Sequence, residues 1–310
     1  MIRNLVSVQS GDWYDESNDD ASMARLAACG FEAIDLNIDH VFNPAEYRKG
    51  KKYPICDLNL DEIAELYAPV KAAAEKHGIT FSQTHSPFPI YYPGEDEINE
   101  CIFSVLEKCI AINAFIGCPA TVIHPYTSAN KELCHKVNME IYTRLIPIAK
   151  KYGVKICLEN LFFCINGSIY AGECADPREA CDYIDSLNAI AGEDIFGFCF
   201  DVGHANLVGQ SPRNFINTLG KKRLTLLHIH DNNGVKDQHL MPYTQTIGWA
   251  ENLCTDWNGF VAGLRDIDYE GNLSFETYKA TKWFPEELTD DVLKLICAIG
   301  KYMRSKITEA

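Results

Sequence analysis

A short unit recurs along this chain of 310 residues: an amphipathic stretch, a glycine, then an apolar run that closes on polar residues. MARLAACGFEAIDLNID, VKAAAEKHGITFSQTHSP and LIPIAKKYGVKICLEN all follow it, and Gly30, Gly78 and Gly153 stand where a helix C-terminal glycine precedes a strand. Collecting the apolar runs gives eight expected strands, beginning near Leu5, Glu32, Thr80, Ala120, Val154, Phe196, Leu224 and Asn272, with helical stretches between them. Strand and helix alternating eight times predicts a closed barrel. A doubly wound open sheet would carry a Gly-rich phosphate loop after its first strand, and SGDWYDES is not one. No linker or shift in composition divides the chain. The expectation is therefore an α/β protein, a single (β/α)8 TIM barrel, as one domain over residues 1–310. Three longer connections, HVFNPAEYRKGKKYPICDLN, PFPIYYPGEDEINE and MPYTQTIGWAENLCTDW, read as insertions on one barrel face whose aromatics help close a pocket.

The polar residues that interrupt these runs come late in each strand. His85 closes the third, His124 the fourth, Glu159 the fifth, Asp201 and His204 the sixth, His230 the seventh and Glu276 the eighth. Late positions face the C-terminal mouth, where sites of this architecture lie. Carboxylates aimed into one small volume repel unless a cation sits among them. Mixed Asp, Glu and His donors suit a divalent transition metal, zinc or manganese foremost, then iron or cobalt, better than calcium or magnesium. In LTLLHIHD, His228 and His230 share a face while Asp231 points away, so His230 ranks first as ligand and His228 lies one layer deeper.

A lone strand histidine is usually a hydrogen-bonded core residue, but glutamates inside KICLENL and NLSFETY are rarely left without a partner. His40, His77 and His135 fall outside the pattern and read as surface residues. Cys157 and Cys199 precede Glu159 and Asp201 by two positions, deeper on the same face, and read as barrel packing. No GxSxG nucleophile turn or phosphate-binding P-loop occurs.

Charge bounds the partners. With 43 acidic and 28 basic side chains the formal charge is −15, which repels a phosphate backbone, so no nucleic acid is expected. No run approaches the roughly 20 apolar residues that cross a bilayer, and thirteen cysteines without a CxxC pair read as buried thiols. A cytoplasmic protein without a membrane partner is expected, with a homo-oligomer as an open possibility.

These motifs resemble the xylose isomerase-like barrel superfamily, which includes sugar phosphate isomerases and epimerases, ketose 3-epimerases and endonuclease IV. The resemblance runs from the first strand to about Tyr278 and is carried by CLEN, FDVGHAN, HIHDNNGVKDQHLMP and LSFE. It implies that Glu159, Asp201, His230 and Glu276 hold one metal in the manner of the sugar-acting members. Residues similar to the extra ligands of the endonuclease's three-zinc cluster stand at His85, His124, His204, Asp237 and His239, where they would bind substrate or a second metal. FDVGH in place of DTCH or DTSH, and the wording HDNNGVKDQHL, favour the sugar branch. Where the family continues with a short glycine loop, this chain inserts YTQTIGWAENLC before TDWNGF. The expected activity is a metal-dependent isomerase or epimerase of a sugar, sugar phosphate or sugar derivative, acting through an enediolate with Glu159 and Glu276 as acid and base. The alternatives are a zinc phosphodiesterase cutting abasic DNA, in the manner of endonuclease IV, and a noncatalytic sugar-binding barrel.

Overall fold

The computed structural model describes residues 4–245 and 254–309. Much of the insertion before TDWNGF, residues 246–253, lies outside the described residues. Eight parallel strands form one sheet: β1 Val6–Gln9, β2 Ala33–Asn37, β3 Thr80–His85, β4 Ala120–Val122, β5 Lys155–Glu159, β8 Phe196–Asp201, β9 Leu224–His228 and β10 Leu273–Phe275. An antiparallel hairpin, β6 Phe162–Ile165 and β7 Ser168–Ala171, rises after β5. Strand order follows the chain around the sheet, and β1 pairs with β10, Val6 opposite Leu273. The circle closes between β9 and β10, where Ile229 N donates to Ser274 O at 2.9 Å and Glu276 N to Ile229 O at 3.1 Å. The eight strands read from the sequence are these eight, and the fold is a (β/α)8 barrel.

The helices are α1 Asp19–Ala28, α2 Pro44–Tyr47, α3 Leu60–His77, α4 Asp96–Ile116, α5 Lys131–Tyr152, α6 Pro177–Ala191, α7 Val202–Leu207, α8 Pro212–Arg223, α9 Trp257–Asp266 and α10 Thr289–Thr308. Local chemistry sets their ends. Asn59 and Glu62 make a reciprocal capping box on α3, and Asp176 caps α6 with Pro177 at its first position. Gly78 and Gly153 end α3 and α5 at φ 69° and 65°, a conformation that costs other residues a steric penalty. No described helix is long and apolar enough to cross a membrane.

Alternation along the strands separates two environments. Phe198 and Phe200 of β8 face outward onto Phe215 of α8, and Val6 and Phe275 pack so closely on α10 that a β-carbon at Gly300 would press into both. The inward set is smaller and more polar. Ala120, Val122, Cys157, Cys199 and Leu226 form a buried cluster inside the barrel, which agrees with reading the two cysteines as packing. Above it the interior turns polar, and that change positions the site.

Candidate functional site

Glu159 ends β5 with its side chain fully buried. Its Oε1 lies 3.1 Å from His204 Nδ1, and its Oε2 lies 3.0 Å from His228 Nδ1 and 3.2 Å from His124 Nε2. Despite these distances neither oxygen has a partner at hydrogen-bonding angles, and His228 Nδ1, His230 Nδ1 and Asp237 Oδ1 are likewise buried and unsatisfied. A buried carboxylate left so is costly. Donor atoms that crowd one another without bonding are what ligands of a common cation look like.

The other strand ends join it. His85 Nδ1 faces Ser86 O at 3.0 Å, which places the proton on Nδ1 and leaves a lone pair on Nε2, 2.9 Å from His124 Nε2. Asp201 caps α7 by accepting from His204 N at 2.6 Å and presents its other oxygen to His230 Nε2 at 3.0 Å. Asn160 locks the ends of β5 and β8 together, bonding both Asp201 N and Asp201 O at 2.9 and 2.8 Å. Beyond β9, His239 takes a left-handed φ of 51°, which lets its Nδ1 donate to Glu276 O at 3.0 Å while Nε2 meets Asp237 Oδ2 at 2.8 Å. Its ring stacks on His230, centroids 4.2 Å apart.

All nine residues singled out in the sequence thus meet at one mouth. Their donors fall into overlapping groups of metal-binding size, among them His85–His124–Glu159, Asp201–His228–Glu276 and His230–Asp237–His239. His228 is deeper than His230, as alternation requires, yet it is within 3.0 Å of Glu159 and 3.7 Å of Glu276, so both histidines reach the ligand cluster. Cys199 joins a group with Glu159 and His228, but burial drives its thiol well above its ordinary range. Asp231 points away, as expected, and accepts from Thr255 Oγ1 and Gln245 N, pinning the connection that follows β9. His40, His77 and His135 lie elsewhere; His77 pairs with Asp20 and His135 packs beside Tyr183.

Two residues escaped the sequence reading. Gln9, at the end of β1, donates to Glu276 Oε1 at 3.1 Å. Asp35 of β2, fully buried, accepts from Gln83 Nε2 at 3.0 Å and lies 3.5 Å from His228 Nε2. Each is a polar residue on the inward face of an apolar strand, and that alternation was the available signal.

Electrostatics separate the two glutamates. Burial works to raise both. At Glu159 the neighbouring His228 and His124 outweigh it and hold the carboxyl well below its usual range. At Glu276 burial prevails, reinforced by Asp201 and Glu159, and the carboxyl is raised. His85 is driven down by burial and by the imidazoles of His124 and His228. His230 is opposed by burial, but Asp201 pushes it up to about 9.

Over this centre opens a cavity of about 650 Å³, within the usual range for small-molecule sites. Its outer wall is aromatic: Phe88, Tyr91 and Tyr92 from the connection after β3, Tyr126 after β4, Phe162 from the hairpin and Tyr278 after β10. The connection after β3 thus does help close the pocket, and the hairpin, which was not foreseen, contributes as well.

A family model described as a xylose isomerase-like TIM barrel matches residues 23–299. An uncharacterized protein of Methanocaldococcus jannaschii is 30% identical over 206 residues, which covers 62% of this chain and 62% of that protein's length. Among solved structures, a D-tagatose 3-epimerase-like protein superposes with a TM-score of 0.66 at 18% identity, covering 96% of this chain and 98% of the other. The 3-keto-D-glucoside 4-epimerase of E. coli superposes with 0.67 at 14% identity, covering 96% and 100%. At these identities the structural likeness is one of fold.

Proposed function

The chain belongs to the xylose isomerase-like TIM barrel family, and from that premise we propose that it is a metal-dependent isomerase or epimerase of a sugar or sugar derivative. One observation carries the reading. Six imidazoles and four carboxylates converge at the mouth, and several of their donor atoms are buried without partners. Mixed nitrogen and oxygen donors fit zinc or manganese, then iron or cobalt. Glu159, Asp201, His230 and Glu276 would hold the ion, with His228 within reach. The epimerase names of the solved barrels it resembles are in keeping with a sugar substrate. The donors come from strands all around the barrel, so the reading treats residues 1–310 as one domain, and the many unbridged cysteines suit a reducing compartment such as the cytoplasm.

Held by Glu159, Asp201, His230 and Glu276, a divalent metal would supply Lewis acidity toward a substrate carbonyl, which would make the adjacent carbon-bound proton more acidic. Glu159, held low by its histidines, is the base that removes that proton, and Glu276, raised by burial, is the acid that returns one to the resulting enediolate. Gln9 fixes the Glu276 carboxyl by bonding its Oε1. His85, His124, His204, Asp237 and His239 orient substrate hydroxyls or hold a second ion.

A second reading, a zinc phosphodiesterase on abasic DNA, is favoured by the donors forming more than one group of metal-binding size, five overlapping ones among the described residues. The net charge of −15 opposes it. Elemental analysis and turnover on a sugar panel decide between them. Asp201→Ala and His230→Ala are expected to lose metal while the barrel still folds, and product formed in deuterium oxide is expected to carry deuterium at the reacting carbon. Unchanged metal content in both variants would overturn the ligand assignment. Full retention of the original hydrogen in a single turnover would replace proton transfer by hydride shift. Sugar binding without turnover would return the noncatalytic reading, and incision of abasic duplex the phosphodiesterase.

A further inference from the structure

The cavity is divided by chemistry. Its floor is lined by metal-binding donors, His85, His124, Glu159, His204, Asp237, His239 and Glu276, whereas its outer wall is built from aromatic rings, several of them packed on the core by one side and facing the cavity with the other. Phe88 is 46% exposed and presents its ring at the edge of the cavity. It lies 4.6 Å from the His124 ring, so it borders the floor directly. Tyr91 and Tyr126 stand edge to face at 5.3 Å, and among the described residues their hydroxyls make no hydrogen bond. Among the described residues no lysine or arginine lines the cavity, and the charged side chain of the outer wall is Asp39. Arg48, on the connection after β2, is already committed to Glu95 and to the face of Tyr92.

A substrate whose reacting oxygens sit among the floor donors places its far end against this wall. A phosphate ester there would exchange water for rings and a carboxylate, with none of the cationic partners that stabilise phosphate. The C–H face of a sugar, or the C–H edge of an aryl ring, suits the wall instead, since its partly positive hydrogens meet the negative faces of aromatic rings. The free phenols of Tyr91 and Tyr126 can bond ring hydroxyls. The volume exceeds what a single six-carbon sugar fills.

We propose that the substrate is an uncharged sugar carrying a second six-membered ring, its first unit at the strand ends and its second against the Phe88, Tyr91 and Tyr126 rings. This rests on the sugar reading above. Three matched probes test it by calorimetry on the manganese-loaded protein: D-fructose, its phosphate monoester at the terminal carbon, and isomaltulose, which bears a glucosyl ring at that same carbon. Isomaltulose is expected to bind at least about tenfold tighter than D-fructose, the factor that roughly 1.4 kcal/mol of added contact represents. The phosphate is expected to bind no better than D-fructose, and Tyr91→Ala to bring isomaltulose down to the D-fructose value. A phenyl glycoside measured beside isomaltulose distinguishes an aryl ring from a second sugar as the preferred outer group. Tightest binding of the phosphate, or equal binding of D-fructose and isomaltulose, overturns the proposal and leaves the sugar reading intact. Failure of all three to bind overturns the sugar reading with it.

Discussion

Asp35 acts at one remove from the chemistry. Its Oδ2 lies 3.5 Å from His228 Nε2, on the side of the imidazole opposite Glu159, and Gln83 and Ser274 hold it in place. The negative charge of a carboxylate on that side favours a proton on Nε2 over one on Nδ1, the tautomer that would leave the Nδ1 lone pair facing the metal-binding donors. Partners of this kind typically contribute about 10–100-fold to metal affinity. Asp35→Asn is therefore expected to weaken manganese or zinc binding by roughly that factor without unfolding the barrel, measured by competition with a chromogenic chelator; unchanged affinity would reduce Asp35 to a packing residue. Protonation at His230 gives a second expectation. Its pKa is raised from 6.5 to about 9, so in chelator-treated protein its stabilising contribution is complete below about pH 6.5 and is lost as pH rises through 9. The melting temperature of that protein should fall across this window. Metal binding runs the other way, because the ligand must be deprotonated, so uptake should release protons and tighten as pH rises.

At the scale of elements, the short α7 decides how near His230 can come to Asp201. Gly203 lies in its first turn, and a β-carbon there would collide with the His230 ring. Elsewhere in a helix, Gly to Ala is stabilising by up to about 1 kcal/mol. Here Gly203→Ala is expected to displace His230 and cut metal affinity while circular dichroism stays native. Native affinity in that variant would show that the helix has slack. The same scale explains what could be read in advance. The glycine-ended helices, the eight strands and the carboxylates and imidazoles at their ends were legible, because helix caps and strand alternation are local. The β6–β7 hairpin was not, since FFCINGSIYA sits in a stretch read as connection and its ladder is local but its purpose, bringing Phe162 to 5.0 Å from His204, is tertiary. Asp35 and Gln9 were hidden for a related reason. One polar residue in an apolar strand is ambiguous until the partner strand that satisfies it is known.

For the whole molecule, the closing of the circle matters most. The last backbone bonds of the barrel, from Ile229 N to Ser274 O and from Glu276 N to Ile229 O, flank His230 and belong to the same two segments that deliver His230 and Glu276. An ion held by these residues together with Asp201 and Glu159 would tie the final seam to β8 and β5, the next two strands beyond β9, and would stabilise the closed state by mass action as its concentration exceeds its dissociation constant. Opening of the seam and release of the ion become one event. Deuterium uptake at the Ile229 and Glu276 amides should then slow on metal loading, while amides of the outer helices, which the ion does not touch, keep their rates in sub-global opening. The seam works as a keystone joint, and the exchange clock of two amide protons would read out the occupancy of a site that neither of them contacts.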